Sequence, residues 1–266
     1  MKVFDFNIHL PTFQKDSKVE DLVHSEMIAT NSDLIDRSSL LKPKLYCGNF
    51  MIFNPNLFEE NNKFIDYINN TFKNSSFTLL VDFRDPNVFS KLETAISSGI
   101  HFIKFHSYHQ GIDKNSYEKI IKICKYAEKN NIKICLDGSY GTSKMLKYDI
   151  IDLICTISDK ITKVPIIVLH SGGIKCLEVM LLALEKPNVF VETSFSLPFY
   201  LGSSIEKDLA FAYSKIDSNK ILYGSDTPYV SFDDSLNKSY LFFRKWKMEN
   251  KIEDIFYNNA IKLCGI

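Results

Sequence analysis

The feature that most constrains the fold is a regular alternation of short apolar segments with longer segments of helical periodicity. Eight apolar segments have the composition of buried strands: residues 3–8, 45–53, 77–83, 100–105, 132–136, 164–169, 188–191 and 220–223. Between several of them lie amphipathic segments that predict helices over residues 58–71, 88–98, 116–130, 147–158, 174–184 and 205–213. Strands that are apolar on both faces and alternate with helices are typical of a parallel sheet covered by helices.

The number and size of these units predict a closed barrel. Eight units in 266 residues give about 33 residues each, which suits a (β/α)8 barrel. A doubly wound open sheet is the alternative, but the chain contains neither of the two commonest nucleotide-binding signatures of such sheets. No linker, charge block or internal repeat marks a domain boundary. We therefore predict one TIM barrel domain over residues 1–266, with a loop-helix excursion over residues 10–43.

The composition limits the partners that the chain can have. Thirty-two basic and 32 acidic residues give no net charge, so the sequence predicts no basic surface for nucleic acid. The apolar runs are far shorter than the roughly 20 residues that cross a bilayer, and Asp5, Asn7 and His9 interrupt any signal-peptide core. Six cysteines without a C-x-x-C pair predict buried thiols. We expect a cytoplasmic protein that binds a small molecule, and neither nucleic acid nor membrane.

Polar residues end seven of the eight predicted strands. The endings are DFNIH, VDFRD, KFH, LDG, LHSGG, ETS and YGSDTP, in chain order. Because the active site of a barrel lies at the C-terminal ends of its strands, the side chains there should meet around one cavity. The positions expected to meet are His9, His106, Asp137, His170 and Asp226.

Alternation along a strand predicts which side chains point into the barrel. Successive residues face opposite sides. The first strand then divides into a polar face of Asp5, Asn7 and His9 and an apolar face of Phe4, Phe6 and Ile8. We expect the polar face to point into the barrel mouth and the apolar face to meet the helices.

Several of these motifs resemble one family. FDFNIHL resembles the first-strand H-x-H motif of the amidohydrolase superfamily, with Asn7 in place of the first histidine. IKFH, HSGG, ETS and YGSDTP resemble strands 4, 6, 7 and 8 of its amidohydrolase-related branch, and the segment IFYNNAIKL at 255–263 resembles the closing helix of that branch. This branch contains metal-dependent hydrolases, lactonases and decarboxylases that act on carboxylated rings. The resemblance covers the whole chain in the right order and implies an enzyme, with a homodimer as its assembly.

The resemblance also implies a divalent metal, usually zinc. In the branch two first-strand histidines, a fifth-strand histidine and an eighth-strand aspartate hold the ion, and a sixth-strand histidine orients the water. His9, His170 and Asp226 match, whereas Asn7 and Asp137 replace the other two histidines. An Asn is a weak zinc ligand, and the Asp137 carboxylate favours a harder ion such as Mn²⁺ or Mg²⁺.

Two alternatives stay open at this point. One is a metal on His9, Asp137, Asp226 and Asn7, with His106 as a further ligand. The other is a metal-free site, in which Asp226 acts as general base on a water while His170 and His9 hold the substrate or stabilise the oxyanion.

A second group of residues near the predicted mouth is assigned to substrate binding: Arg84, Lys104, His106, His109 and Glu192. Arg84 is one of only three arginines, and its position predicts a bidentate clamp for a carboxylate or phosphate, with pairing to Asp82 or Asp85 as the alternative. For Lys104 an ion pair with Asp82 or Asp137 is favoured over a metal-bridging carbamate. Loop aromatics form an apolar wall for a ring or a dimer contact: Phe13, Tyr108, Tyr140, Phe199 and Tyr200.

Together these observations predict an amidohydrolase-like hydrolase that opens an amide or lactone bond of a small polar, carboxylate-bearing substrate. Asp226 would be the base, and His170 would orient the water or the oxyanion. A decarboxylase on the same scaffold is one alternative. A non-catalytic ligand-binding barrel with a decayed metal site is the other.

Overall fold

The computed structural model describes residues 1–9, 47–52, 65–66, 68–70, 72, 74–227 and 229–266. The predicted excursion over residues 10–43 lies outside the described residues, as do Phe13 and most of the helix predicted over 58–71.

Eight parallel strands follow one another in chain order around a barrel in the described part of the chain. They are β1 (Phe4–His9), β2 (Cys47–Ile52), β3 (Asn74–Leu80), β4 (Phe102–Phe105), β5 (Lys133–Asp137), β6 (Ile166–Leu169), β7 (Val189–Glu192) and β8 (Ile221–Leu222). The first strand closes the ring against the chain at β8, because the amide of Phe6 donates to the carbonyl of Tyr223 at 3.0 Å and that of His9 to Thr227 at 2.8 Å. The predicted (β/α)8 barrel is confirmed.

Helices cover the barrel on the outside. The α-helices of the described ranges are α1 (Val88–Ser97), α2 (Ser107–Gln110), α3 (Tyr117–Lys129), α4 (Ile150–Ser158), α5 (Cys176–Glu185), α6 (Ser196–Tyr200), α7 (Ser204–Lys215), α8 (Phe232–Lys245) and α9 (Asn259–Cys264). Those at α1, α3, α4, α5 and α7 are confirmed to within three residues at each end. None of the helices described is long and apolar enough to cross a bilayer.

Two of these helices show when the spacing of apolar residues in the sequence predicts a helix and when it does not. Helix α3 buries Ile120, Ile123, Cys124 and Ala127, at the spacing of a single helical face, so its pattern was readable. Helix α8 was not predicted. Its buried face contains two serines, which weaken the apolar period in the sequence.

The core forms two layers, one on each side of the strands. Residues of the larger cluster, such as Ile103, Ile134 and Val168, alternate along the strands with residues of the smaller cluster. The smaller cluster fills the barrel interior and includes Phe6, Phe102, Cys135, Ile167 and Leu222, together with Ala260 and Leu263 of α9. Helix α9 therefore closes the end of the barrel opposite the mouth.

A bulge in β1 corrects the predicted alternation. Asp5 pairs with Gly48 and Ile8 with Phe50, so three steps of β1 lie opposite two steps of β2. An extra residue reverses the faces of the side chains that follow it. The prediction that Phe4, Phe6 and Ile8 share one face is therefore wrong.

The side chains on either side of the bulge lie in different layers. The rings of Phe6 and Phe102 meet edge to face with centroids 5.3 Å apart inside the barrel, whereas Ile8 belongs to the outer cluster. Asp5 fixes the bulge by accepting hydrogen bonds from the amides of Asn7 at 3.1 Å and Ser225 at 2.8 Å. Burial raises the pKa of Asp5 to about 7.

Strand β3 begins three residues earlier than its apolar run predicts. It contains the polar segment Asn74 to Ser76, where the hydroxyl of Ser76 lies 3.3 Å from Nδ1 of His101. Because β3 ends at Leu80, Asp82 and Arg84 lie in the turn that leads to α1. This shift matters for the site described below.

Replacing Phe102 with Ala should lower the free energy of unfolding by about 3–5 kcal/mol, because it leaves a cavity in the barrel interior. Phe211→Ala is the matched control, since Phe211 on α7 is 51% exposed. That change should stay within about 0.5 kcal/mol. Denaturant unfolding of both variants measures the difference, and equal losses would contradict this description of the core.

Candidate active site

The C-terminal ends of the strands surround a cavity of about 280 Å³. Five side chains from five different strand ends line it: His9, His106, Asp137, His170 and Asp226. The prediction that these positions meet around one cavity is confirmed. Lys104 and His109 line the same cavity. The chemical roles assigned to all of these residues stay predictions.

Asp137 holds the polar cluster together. Its Oδ2 lies 3.2 Å from Nζ of Lys104, 3.3 Å from Nε2 of His170 and 3.6 Å from Nε2 of His106. Its Oδ1 accepts a hydrogen bond from the amide of Ser139 at 3.1 Å. Burial alone would raise the pKa of Asp137, but His106, Lys104 and His170 hold it well below its usual range. The predicted ion pair of Lys104 with Asp137 is confirmed.

His170 is a buried cation. Burial alone would lower its pKa, but the charges of Asp137 and Asp226 outweigh burial and raise the pKa to about 9. The protonated ring donates from Nε2 towards Asp137, while Nδ1 lies 3.2 Å from the carbonyl of Ser194 and 3.0 Å from its hydroxyl. Both ring nitrogens therefore serve as donors at neutral pH.

His106 is the neutral member of the cluster. Burial lowers its pKa to about 3, with the charges of Lys104 and His170 acting in the same direction. Its Nδ1 accepts a hydrogen bond from the amide of His109 at 3.3 Å. We assign the ring proton to Nε2, which faces Asp137.

Asp226 has two oxygens in different situations. Its Oδ1 lies 3.0 Å from Nε2 of His9 and accepts from Nδ2 of Asn7 at 3.3 Å. Burial lowers the pKa of His9, although the hydrogen bond with Asp226 opposes that change, so the neutral ring donates from Nε2. Within the described residues Oδ2 of Asp226 takes no hydrogen bond, and Asp226 lines the cavity. This oxygen is available to a ligand or a water.

The backbone around the site is strained at several residues. His170, Ser171 and Asp226 have φ values of 61°, 50° and 64°, a region that non-glycine residues rarely adopt. Glu192 supports the first of these, because its Oε2 accepts from the amide of His170 at 3.2 Å and from the hydroxyl of Ser194 at 2.7 Å. Such strain persists where the surroundings fix it, typically at functional sites.

Three residues predicted for the site do not line the cavity. The side chain of Arg84 is 58% exposed, and its Nε donates to Asp82 at 2.9 Å. Arg84 therefore forms the ion pair with Asp82 that was the alternative to a substrate clamp. It does so because β3 ends before this turn. Glu192 is fully buried, and its Oε2 accepts hydrogen bonds from the amide of His170 and the hydroxyl of Ser194. Asn7 is also fully buried, and its Nδ2 donates to Ser194 as well as to Asp226.

Residues that the sequence reading missed also line the cavity. Phe195 and Tyr229 do so, each with its ring edge against an imidazole: Phe195 against His170 at 5.9 Å and Tyr229 against His9 at 5.0 Å. Of the predicted aromatic wall, Tyr108 and Phe199 line the cavity, whereas Tyr140 and Tyr200 do not. A lone aromatic after a strand carries no signal that separates it from a core residue.

The predicted metal ligands do not fit a divalent ion as they are arranged. A catalytic metal typically takes three protein donors around one point. Across the part of the chain that the structure describes, no group of three His, Cys, Asp or Glu side chains is placed to do so. The Oδ2 of Asp137 faces the positive charges of Lys104 and His170, which repel a metal cation.

A closed parallel barrel with histidines and carboxylates gathered at its mouth is an arrangement typical of TIM-barrel enzymes. The family model described as Amidohydrolase (Amidohydro_2) matches residues 74–266. The chain therefore belongs to this family and is an enzyme of the amidohydrolase superfamily. No curated protein matches the sequence significantly.

Solved structures share the fold at low identity. An amidohydrolase from Burkholderia multivorans with bound HEPES has a TM-score of 0.71 and 9% identity, with both chains covered completely. A probable 2-pyrone-4,6-dicarboxylic acid hydrolase from Acinetobacter baumannii with bound citric acid has a TM-score of 0.67 and 16% identity, again with complete coverage. A dihydroxybenzoic acid decarboxylase from a Polaromonas species contains manganese and the inhibitor 2-nitroresorcinol. It has a TM-score of 0.65 and 11% identity, and the alignment covers 99% of this chain and 97% of that chain.

The charge state of His170 can be measured by NMR titration. Its pKa of about 9 exceeds the usual 6.5, so protonation stabilises the fold fully below pH 6.5, and this contribution is lost as the pH rises through about 9. Asp137→Asn should lower the pKa of His170. His101, at the opposite end of the barrel, is the control and should not move. A wild-type His170 that titrates at or below 6.5 would contradict this assignment.

Proposed function

We propose that the protein hydrolyses a lactone or amide bond of a small, carboxylate-bearing substrate, with Asp226 as the general base. The observation that carries this proposal is the asymmetry of Asp226. One oxygen is held by His9 and Asn7, and the other takes no hydrogen bond within the described residues. A carboxylate fixed on one side and available on the other is suited to take a proton from water.

The neighbours of Asp226 fix the orientation of its carboxylate. The neutral ring of His9 donates a hydrogen bond from Nε2 to Oδ1 of Asp226, and this hydrogen bond orients the carboxylate. The amide of Asp226 donates to the carbonyl of Asn7 at 2.9 Å, which anchors the backbone of the base. The carboxylate of Asp226 is therefore held in a fixed orientation at the wall of the cavity.

The cations of the cluster supply charge stabilisation. Lys104 and His170 line the cavity and are held by Asp137. Fixed positive charges in a site that excludes water stabilise the negative charge that develops on a carbonyl oxygen. They also attract the carboxylate of a substrate.

The proposed reaction balances with water as the only co-reactant. The water oxygen bonds to the carbonyl carbon while one of its protons passes to Oδ2 of Asp226, and the carbonyl becomes an oxyanion beside the cations. When the carbonyl re-forms, the bond to the leaving oxygen or nitrogen breaks. Asp226 returns its proton to that atom, which yields the acid and a free hydroxyl or amine.

One structural relative supports the substrate chemistry. The Acinetobacter protein is named as a probable hydrolase of a dicarboxylic acid, and the cation cluster at the mouth of this barrel is suited to the same kind of negative charge. Because the two chains are only 16% identical, their similarity supports a shared fold and not a shared substrate.

We also propose a cytoplasmic location. All six cysteines are free, and five of them are buried. Free thiols in a chain of this size are typical of a reducing compartment.

Asp226→Asn should reduce kcat by about 10²–10⁴, since it removes general-base catalysis but keeps the size of the side chain and its acceptor for His9. The measurement is hydrolysis of a panel of carboxylate-bearing lactones and amides. Asp82→Asn is the matched control, because Asp82 pairs with Arg84 on the exposed turn after β3 and should leave kcat unchanged. Full activity of the Asp226 variant would refute its role as base.

Isotope labelling separates the alternative reactions. Hydrolysis in H₂¹⁸O should place one ¹⁸O in the acid product. Release of carbon dioxide without incorporation of ¹⁸O would make the protein a decarboxylase. Saturable binding of substrates without turnover would make it a non-catalytic barrel.

A further inference from the structure

A segment of left-handed backbone follows β6 and begins with His170. The φ values from His170 to Gly173 are 61°, 50°, 80° and 53°. The first two belong to residues with a Cβ, which rarely adopt this conformation. At Gly172 a Cβ would also lie 2.4 Å from Cγ2 of Val179. Because such strain persists only where the surroundings fix it, other groups must hold this segment in place.

The hydroxyl of Ser171 ties the segment to two neighbouring elements. It donates to the carbonyl of Glu192 in β7 at 2.8 Å, and it lies 2.7 Å from the hydroxyl of Tyr213 in α7. A serine hydroxyl has a single proton to donate. Since Ser171 gives that proton to Glu192, the phenol of Tyr213 is the donor in the second contact. Burial raises the pKa of Tyr213, so the phenol keeps its proton.

The position of Tyr213 is set by the helix layer. Its side chain is fully buried and does not line the cavity. Its ring stacks on Phe243 with centroids 5.9 Å apart and meets Phe242 edge to face at 6.0 Å, and both phenylalanines belong to α8. Its carbonyl accepts a hydrogen bond from Nζ of Lys251 at 3.2 Å. The hydroxyl of Tyr213 therefore has a fixed position relative to β7 and Ser171.

The imidazole of His170 depends on where Ser171 lies. Its Nε2 reaches Asp137 at 3.3 Å while its Nδ1 lies 3.0 Å from the hydroxyl of Ser194, so the ring has to keep one orientation to make both contacts. Its amide donates to Oε2 of Glu192 at 3.2 Å, the residue whose carbonyl accepts from Ser171. A shift of Ser171 would rotate the peptide that joins it to His170, and the ring would turn with it.

We propose that Tyr213 is a positioning residue, whose hydroxyl acts through Ser171 to hold the imidazole of His170 against Asp137. It rests on the proposed function in one respect, because the cation that Tyr213 holds in place is one of the two that stabilise the oxyanion. The contacts from α8 to Tyr213, Ser171 and His170 are present without a substrate. They can therefore be tested without turnover.

Tyr213→Phe and Ser171→Ala test this role, because each removes the contact between the two hydroxyls. The measurement is the ring ¹H and ¹⁵N NMR signals of His170 in the full chain at pH 7.5. Each variant should shift these signals towards those of a neutral ring, since a ring that turns away from Asp137 loses the charge that keeps it protonated. The double variant should shift them no further than Ser171→Ala alone, because both changes act on one contact.

Tyr223→Phe is the matched control. Tyr223 is also fully buried, and its hydroxyl donates to Oγ of Ser235 at 3.5 Å. Ser235 belongs to α8 and donates in turn to the carbonyl of Gly224, so this pair of hydroxyls has no link to Ser171. The control variant should leave the His170 signals unchanged. Thermal unfolding of every variant shows that it is folded.

Three results would overturn the role of Tyr213. They are unchanged His170 signals in folded Tyr213→Phe, an equal shift in Tyr223→Phe, and shifts of the two single variants that add in the double variant. With a hydrolysed substrate, Tyr213→Phe should also lower kcat by about 10- to 100-fold. If the signals shift as expected while all hydrolysis assays fail, the proposed function fails and the role of Tyr213 stands. Hydrolysis with unchanged signals would give the reverse.

Discussion

The carboxylate of Asp137 is the group on which the rest of the site depends. Lys104 is 1% exposed, His170 is 3% exposed, and both contact the same oxygen of Asp137. Two buried cations without a counter-charge would strongly destabilise the folded state. Asp137 supplies the counter-charge and holds both cations in place at the cavity.

The second constraint is the buried polar network behind the cavity wall. Glu192 accepts from the backbone amide of His170, and Ser194 accepts from the side-chain amide of Asn7 and donates to Glu192. Gly224 shows how tightly this network is packed, because a Cβ there would lie 2.3 Å from Oε1 of Glu192. The residues that line the cavity are therefore positioned by buried residues that do not line it, which is a usual way to hold the geometry of a site.

The sequence was sufficient for the barrel and for the five positions that meet at its mouth, because both follow from alternation and from polar strand ends. It was insufficient wherever one residue changes the register. The bulge between Asp5 and Ile8 put Ile8 on the opposite face from Phe6, and the early end of β3 put Arg84 on an exposed turn. The positive φ of Phe195 had no local signal in the sequence, and its ring contacts residues of other loops, His170 and Gly141.

The central claim is that fixed side-chain cations, and not a metal, occupy the charge centre of this site. Crystals grown in millimolar Mn²⁺ and measured at an energy where manganese scatters anomalously test it most directly. The account predicts no anomalous peak among His9, Asp137 and Asp226, with Nζ of Lys104 still within ion-pair distance of Asp137. An ion bound by those three side chains, with Lys104 turned away, would contradict it.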